Sequence, residues 1–597
     1  MPINSKNNAS PFFAPTTPRA IAQTPGGTRR SVKKEVEETK STVSGATSNL
    51  INAIVGSGIV GIPFAIRQAG LVAGFFLVCL CAFLTEKSLR ILVETAKHAG
   101  TSTYETAMEA AFGRFGFLFV TINMFIMSYG ALVSYLMIIK DTLPYVFGIS
   151  DLASRRAFLF LVSFFVIVPL SSQRDMANLA KTSRLSVMMD IVMVCLVAYL
   201  APIGDSLEQV GGFFTLVKSS IIHGDTVFIG LGVLSFAFVC QHSAFIIAGS
   251  LENPTNARWS SVTMRALWVC AGLANLCGLS GYLGYQDETQ GNILNNLNED
   301  ETLANVARGM LGMTMLFVYP MESFVARHVC VVALFSGRRA HEGEDAAILN
   351  RRDRRIGLTV ALYILALVPA LFFENVGNVL SVTGAISGSC LSYIGPGFVY
   401  LGIHGGEFLE IVDNIWNTHS NATNRETPEM KALNAVNVED LSQAPSEKCS
   451  LTRRFLKGVI WYLIGMPIWH YIARVGASGY KSYQREKATK SPYISKLGNA
   501  KANNPPRRQL GSFGSLYPSD SNLSSYQQGN GPHITLIPPN SNRHPPQNIS
   551  LVQSPMVEAD LNATTEVFDY VVAIGFILFG IVALVAGIVS IFYESTH

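Results

Sequence analysis

The chain has 597 residues, of which 49% are hydrophobic and only 14% are charged, and its mean hydropathy is +0.31. Soluble proteins carry about 25% charged residues, so this composition excludes an ordinary soluble enzyme. The net charge of +4 is too small to indicate nucleic-acid binding. Nearly all of the nine cysteines lie within apolar stretches, which gives no sign of an extracellular disulfide framework. The sequence therefore predicts a polytopic membrane protein.

Residues 1–42 form a polar segment rich in Pro, Ser and Thr, without the apolar core of a signal peptide. We therefore expect a disordered cytosolic tail. Eleven apolar stretches follow, and a helix of about 20 such residues is long enough to cross a bilayer. The predicted spans one to eleven are Val43–Ile66, Leu71–Val93, Phe115–Ile139, Ala157–Leu170, Leu185–Ala201, Thr226–Ala248, Ser261–Tyr285, Leu303–Phe335, Ile356–Phe373, Val376–Ile403 and Phe568–Phe592.

Basic residues in the short loops predict the orientation of the spans, because cytosolic loops carry an excess of Lys and Arg. Six arginines lie between residues 338 and 355, after span eight, whereas residues 287–301, after span seven, contain acids and no base. This pattern predicts a cytosolic N-terminus and an outer or lumenal C-terminus. Arg155 and Arg156 are the exception, since the scheme places them on the outer side.

Residues 404–567 form a long polar segment that we expect to be cytosolic and mostly disordered. Within it, Gly458–Val475 is apolar but contains Pro467 and is flanked by Lys457 and Arg474. An interfacial amphipathic helix is the favoured interpretation. The alternative is a twelfth span, which would place many basic residues outside the cytosol.

Span one contains five residues that disfavour a straight helix: Gly56, Ser57, Gly58, Gly61 and Pro63. A glycine weakens a helix interior by about 1 kcal/mol relative to alanine, and a proline by about 3 kcal/mol. An unwound segment at membrane depth is tolerated only where it is buried in protein or lines a polar cavity. In transporters such a break binds anions through free N–H groups and cations through carbonyls. The alternative is that the glycines allow close helix packing.

A polar patch interrupts span six, and it consists of Cys240, Gln241, His242 and Ser243. Polar groups at membrane depth often mark a substrate path. Spans one and six occupy corresponding positions if spans one to five and six to ten are inverted repeats, and paired interruptions indicate a transporter site. For His242 we favour an interhelical hydrogen bond over a proton relay.

Four motifs resemble those of the amino acid/auxin permease family and occur in the same order along the chain. They are most similar to the motifs of its sodium-coupled neutral amino acid transporters and their vacuolar relatives. They are NAIVGSGIVGIP in span one, FAFVCQHSAF followed by SLEN in span six, YPMESFVAR in span eight and LSVTGAISGSCLSYIGPGFVYL in span ten. The resemblance covers residues 41–403 and 568–592. It implies an all-α polytopic fold of the leucine-transporter type, with eleven transmembrane helices. Ten of these form two inverted repeats of five, in which helices one and six are broken.

The same resemblance implies secondary active transport of an L-amino acid, expected to be neutral, by alternating access with a Na⁺ or H⁺ gradient. It implies no enzyme activity and no cofactor apart from the co-transported ion. The alternative is a non-transporting amino acid sensor that recruits cytosolic regulatory partners through its tails. We expect the protein to lie in the plasma membrane or in a vacuolar or lysosomal membrane.

Site residues follow from the resemblance. The span-one backbone would bind the substrate carboxylate, and part of span six would receive the amino group and side chain. The substrate-binding residues implied are Val55, Gly56, Ser57, Gly58, Phe238, Cys240, Gln241, His242 and Ser243. Asn52 and a span-eight hydroxyl would hold the ion. Met313 falls where the family has threonine, with Thr314 one residue later, and a thioether is a poor ligand for a hard cation. The choice between Na⁺ and H⁺ stays open.

Three further features lie within the spans. Asp190 is expected either to pair with a cation such as Arg184, which is favoured, or to belong to a proton path. Glu322, beside Arg327, is expected to form a gate or structural ion pair, with a proton relay as the alternative. A small-residue face of span ten, around Gly384, is expected to pack against span one.

Overall fold

A computed structural model describes residues 41–172, 183–331, 333, 352–413, 467–489 and 555–596. The predicted N-terminal tail, residues 1–42, lies outside this part of the chain except for its last two residues, as does most of the 404–567 segment. The chain divides into two compact units, one comprising residues 1–483 with 567–597 and the other residues 484–566. All side-chain contacts described below belong to the first unit.

The described residues are helical, with one isolated bridge between Ser41 and Leu251 and no sheet. The α-helices are Val43–Ile54, Ile62–Ala69, Leu71–Ala99, Tyr104–Val146, Leu152–Val162, Val168–Ser171, Ser183–Leu200, Ile203–Val210, Phe213–Ser219, Val227–Ala237, Gln241–Ser250, Asn256–Tyr285, Thr302–Val331, Arg352–Phe372, Val376–Thr383, Gly395–Ile403, 405–413, Pro467–Thr489 and Pro555–Thr596. Shorter 3₁₀ or π turns are Ile59–Gly61, Ser163–Ile167, Gln286–Glu288, Ile293–Asn295, Gly384–Gly388 and Cys390–Ile394.

Within the described ranges, nine helices are long and apolar enough to cross a membrane, or up to eleven if each of two bent helix pairs is one span. The bent pairs are Val43–Ile54 with Ile59–Ala69, at 50°, and Arg184–Leu200 with Ile203–Val210, at 45°. All eleven predicted spans coincide with these helices. The prediction of an all-helical polytopic membrane protein is therefore confirmed.

Large apolar side chains on the outer surface agree with a lipid environment. Phe76, Trp268, Phe372 and Phe592 are each more than 60% exposed. A soluble protein rarely presents so much contiguous apolar surface. Helices satisfy their own backbone hydrogen bonds, which is what hydrocarbon surroundings require.

Span ten packs closely, but not against the predicted partner. A Cβ atom on Gly384 would meet the Gly232 carbonyl and lie 2.7 Å from the Phe236 nitrogen, both of span six, while the Thr383 side chain packs on Gly130 of span three. The expectation that this face packs against span one is wrong. The small residues instead allow spans ten and six to approach backbone to backbone.

The apolar segment Gly458–Val475 is described only from Pro467 onward, within the helix Pro467–Thr489. This helix is not among the described helices that are apolar enough to span a membrane. Trp469 and Ala473 are buried in a cluster with Phe408 and Tyr570. Its first half is therefore anchored to the end of span ten and to span eleven, while its location at the membrane interface stays a prediction.

Candidate functional site

Span one is interrupted at the predicted glycines. Its first helix ends at Ile54, and Val55–Gly58 is not helical before a 3₁₀ turn leads into the second helix, with Pro63 at its start. The N–H groups of Ser57 and Gly58 have no backbone acceptor among the described residues. They lie just before the N-terminal end of the second helix, where the helix dipole is positive.

Span six is interrupted at the same level of the protein. Its first helix ends at Ala237 and its second begins at Gln241, so that three residues lie outside both helices. A Cβ atom on Gly58 would lie only 2.6 Å from the Ala237 Cα atom. Glycine at position 58 therefore lets the two interruptions approach each other directly.

A small cavity lies beside these two interruptions. Of the predicted substrate-binding residues, Gly56, Ser57, Gly58 and His242 line it. The other lining residues come from spans one, three, six and eight, and they are Ala53, Ile54, Met127, Ala131, Tyr135, Phe236, Ala237, Val239 and Glu322. Most of the lining residues are apolar in type, but polar atoms, including those of the unwound backbone, contribute the larger share of the lining surface.

His242 and Glu322 form a pair at the edge of the cavity. The His242 Nε2 atom lies 3.3 Å from the Glu322 Oε1 atom. Arg327 instead donates hydrogen bonds to the Ser171 carbonyl and the Thr359 hydroxyl. Glu322 thus contacts His242, and the interhelical hydrogen bond expected for His242 is present.

The other predicted substrate residues lie away from this cavity. Val55 and Phe238 line a second, smaller and mainly apolar cavity. Gln241 is fully buried and points to spans two and ten: its amide donates to Ser88 Oγ at 3.2 Å, and its carbonyl accepts from Ser392 Oγ at 3.1 Å. Cys240 and Ser243 line neither cavity.

The two predicted ion-binding residues both have unpartnered oxygens. Asn52 and Thr314 are buried, and neither the Asn52 Oδ1 atom nor the Thr314 Oγ1 atom has a hydrogen-bond partner among the described residues. Met313 is 43% exposed, whereas Thr314 is 0% exposed. The one-residue offset noted in the sequence thus places the hydroxyl, and not the thioether, inside the protein.

Asp190 is also buried without a partner. It is 1% exposed, and neither carboxylate oxygen forms a hydrogen bond within the described ranges. Arg184 is exposed, and no ion pair joins it to Asp190. The favoured pairing of Asp190 with Arg184 is therefore wrong.

Tyr135 and Glu322 contribute to the cavity but were not among the predicted substrate residues. Both are polar side chains within apolar spans, which is a signal that the sequence carries. The sequence could not distinguish them from neighbours such as Ser134, which donates to the Gly130 carbonyl of its own helix. Only the packing of span three against spans one and six makes this distinction.

Comparison with known proteins identifies the family of this chain. The family described as "Transmembrane amino acid transporter protein" matches residues 39–419. A Danio rerio protein named putative sodium-coupled neutral amino acid transporter 11 is 31% identical over 369 residues, covering 60% of this chain and 79% of that protein. Vacuolar amino acid transporter 2 of Saccharomyces cerevisiae is 30% identical over 371 residues, covering 61% of this chain and 76% of that protein.

Among solved structures, the Eremococcus coleocola manganese transporter aligns with 92% of this chain and 94% of its own, at a TM-score of 0.39 and 11% identity. Those values are too low to establish a shared fold. The family match covers more than half of the chain, and the relatives are transporters and not enzymes. This chain belongs to the transmembrane amino acid transporter family.

Proposed function

We propose that this protein is a secondary active transporter that moves an L-amino acid across its membrane by alternating access, driven by a Na⁺ or H⁺ gradient. The observation that supports this most directly is the cavity beside the paired interruptions of spans one and six. Unwound backbone at membrane depth is typical of transporter binding sites. The eleven spans would comprise two inverted repeats of five and one additional helix.

The cavity suits a zwitterion. The free N–H groups of Ser57 and Gly58 would bind the substrate carboxylate, aided by the dipole of the following helix. Glu322 is the one carboxylate among the residues that line the cavity, and it would face the ammonium group. The apolar wall formed by Met127, Ala131 and other side chains would receive a side chain without charge, in agreement with a neutral substrate.

The coupling ion would bind beside this cavity, near Asn52 and Thr314, whose oxygens have no other partner. The relative from Danio rerio is named as sodium-coupled, which supports Na⁺ as one candidate. The yeast relative is named as vacuolar, which supports a vacuolar or lysosomal membrane as an alternative to the plasma membrane. The arrangement of basic loops supports a cytosolic N-terminus.

Substitution of Gly56 tests the site. A Cβ atom at this position would lie 3.5 Å from the Tyr135 hydroxyl, which is an ordinary van der Waals contact, and the larger side chain of Gly56→Val would take up space beside the cavity. We expect uptake of radiolabelled L-amino acids into proteoliposomes to fall by about tenfold or more, equivalent to about 1.4 kcal/mol of lost binding. Gly575→Val is the matched control, because nothing lies within 4 Å of that Cβ position.

Uptake by the wild-type protein is measured with a panel of amino acids under a Na⁺ gradient and, separately, under a pH gradient. Accumulation under either gradient is the expected result. Binding without accumulation under both gradients would instead indicate a sensor. Normal uptake kinetics in Gly56→Val would contradict the assignment of the cavity.

A further inference from the structure

Asp190 lies in span five, on the side that packs against spans one and eight. It is 1% exposed, and both of its carboxylate oxygens lack a hydrogen-bond donor within the described ranges. A buried carboxylate without a counter-charge is strongly unfavourable, because burial removes the water that stabilises the charge. Such a carboxylate is neutralised either by a proton or by a bound cation.

Three other carboxylates in the described helices have partners. Asp141 lies 2.7 Å from the Arg155 guanidinium, and Glu86 lies 3.5 Å from Arg90. Glu322 contacts His242. Asp190 differs from all three, because the described residues place no cationic side chain in contact with it.

The hydroxyl that faces Asp190 is also unusual. Thr314, in span eight, is the side chain that interacts with the Asp190 carboxylate, although the two groups do not form a close hydrogen bond. Two buried threonines in span three donate to the carbonyl four residues earlier: Thr121 to Phe117, and Thr142 to Ile138. Thr314 makes no such bond. Its hydroxyl oxygen is thus left facing the carboxylate.

We propose that Asp190 is a direct ligand of the coupling cation, that Thr314 is a second ligand, and that this cation is Na⁺. Asn52 offers a further unpartnered oxygen from span one, whose first helix packs against span five. The donors are a carboxylate, a hydroxyl and an amide oxygen, the ligand types that hard cations prefer. The family resemblance implies ion ligands in spans one and eight, and Asp190 would add a third ligand, from span five.

The number of unpartnered oxygens favours a metal cation over a proton. A proton on Asp190 would allow one hydrogen bond to Thr314 and would leave the second carboxylate oxygen without a partner. A Na⁺ ion can contact both carboxylate oxygens and the hydroxyl oxygen at once. The Na⁺ ion also neutralises the negative charge of the Asp190 carboxylate.

The position of Asp190 suggests how ion and substrate are coupled. The Tyr135 phenol lines the substrate cavity and lies close enough to both Glu322 and Asp190 for electrostatic interaction. The carboxylate is therefore near the cavity without lining it. The coupling of ion and substrate rests on the proposed transport function, whereas the existence of the cation site does not.

Binding of radiolabelled Na⁺ to the purified full-length protein tests the site without any knowledge of the substrate. Displacement of the bound radiolabelled Na⁺ by NaCl is compared with its displacement by choline chloride at equal ionic strength. We expect saturable binding by the wild-type protein, and at least tenfold weaker binding by Asp190→Asn and by Thr314→Val. Thr314→Ser keeps the hydroxyl and is expected to keep binding.

Thr121→Val is the control, since it removes a buried hydroxyl that bonds only within its own helix. Each variant is first checked by size-exclusion chromatography, and the Thr314 pair provides a test even if Asp190→Asn fails to fold. Wild-type affinity in Asp190→Asn, or equal loss in Thr314→Val and Thr314→Ser, would overturn the proposal. So would a wild-type protein without saturable Na⁺ binding, including one whose uptake follows only a pH gradient.

The two proposals fail separately. A protein that binds Na⁺ through Asp190 but accumulates no amino acid would refute transport and support the cation site. A protein that accumulates amino acids equally well with Na⁺ and with choline, and binds no Na⁺, would support transport and refute the cation site.

Discussion

Gln241 shows how one buried side chain can hold an interruption in place. Its carbonyl oxygen accepts a hydrogen bond from the Cys240 N–H group at 3.0 Å and another from Ser392 Oγ, while its amide donates to Ser88 Oγ. Ser88 in turn donates to the Ser392 carbonyl. This network ties the break in span six to spans two and ten, so that the break has a fixed geometry.

Replacement of the Gln241 side chain is expected to lower the stability of the protein without changing its substrate selectivity. Gln241→Met keeps a similar length but leaves the Cys240 N–H group and the Ser392 hydroxyl without an acceptor, while Ser88 keeps its bond to the Ser392 carbonyl. Each buried polar group left unpaired costs about 1–3 kcal/mol, so we expect a loss of at least about 2 kcal/mol. Thermal unfolding in detergent measures the loss, and competition with a panel of amino acids measures the selectivity.

Ser243→Ala is the control for this prediction, because Ser243 is two residues away and lines neither cavity. We expect an effect within about 0.5 kcal/mol, as for substitutions away from buried networks. A changed selectivity profile in either variant would mean that these side chains contact the substrate, as the family resemblance alone implies.

The sequence identified polar residues in span six but not the direction of each side chain. Gln241 and His242 are adjacent, and about 100° separates neighbouring residues on a helix. His242 therefore faces the cavity while Gln241 faces spans two and ten. Residue type indicates a polar site at this depth, and helix rotation within the bundle decides which residue faces the substrate.

Among the elements, span three is the longest helix in the described part of the chain, and it contains one break. Gly113 has φ +63° and ψ −148°, within the helix Tyr104–Val146. This backbone conformation is essentially limited to glycine. The predicted span began at Phe115, just after the break, because the segment before it is less apolar.

Gly113→Ala is expected to destabilise the protein through the backbone alone. Nothing lies within 4 Å of the Cβ position, so no steric contact contributes. A side chain in this conformation costs about 1–3 kcal/mol, and we expect a loss of that size. Thermal unfolding measures it.

Gly272→Ala provides the matched comparison, because its Cβ position is also open but it lies within the regular helix Asn256–Tyr285. Alanine is favoured over glycine by about 1 kcal/mol in a helix interior, so this variant is expected to be neutral or slightly stabilised. Equal effects in the two variants would show that the break in span three relaxes without cost.

Local sequence predicts some interruptions and not others. Spans one and six contain glycine, proline or polar residues at their breaks, and both breaks were predicted. The bend of span five occurs at Ala201 and Pro202, where the prediction simply ended the span. The π turns Gly384–Gly388 and Cys390–Ile394 carry no clear local signal. Such turns depend on packing, here the close approach of spans ten and six.

On the scale of the whole molecule, an all-helical membrane protein could be predicted because every span must be long and apolar. The contacts between spans could not be predicted in the same way. Asp190 and Thr314 are more than 100 residues apart, and nothing local indicates that they meet. Arg155, which appeared to violate the charge rule, is neutralised by Asp141 at 2.7 Å, a pairing that only the fold brings about.

A cluster at the end of span ten joins several parts of the molecule. The His404 ring lies 4.8 Å from the His98 ring at the end of span two, and its Nδ1 atom lies 3.0 Å from Glu407. Tyr570 of span eleven donates to the His404 carbonyl, and Asp569 is also within electrostatic range. Burial lowers the pKa of His404 from its ordinary value, and this effect exceeds the opposing effect of Glu407.

This pKa shift predicts that acid weakens the structure at this point. A histidine whose pKa is lowered by folding is neutral in the folded protein, while the unfolded chain takes up a proton near pH 6.5. The stability that this neutral form provides is therefore present above about pH 6.5 and is lost as the pH falls toward the lower folded pKa. Thermal unfolding at pH 7.5, 6.5 and 5.5 measures the decline.

We expect a smaller decline in His404→Gln than in the wild type. Glu407→Gln removes the acid that favours protonation, so its decline is expected to continue to lower pH; identical pH profiles for all three proteins would show that His404 is protonated equally in both states.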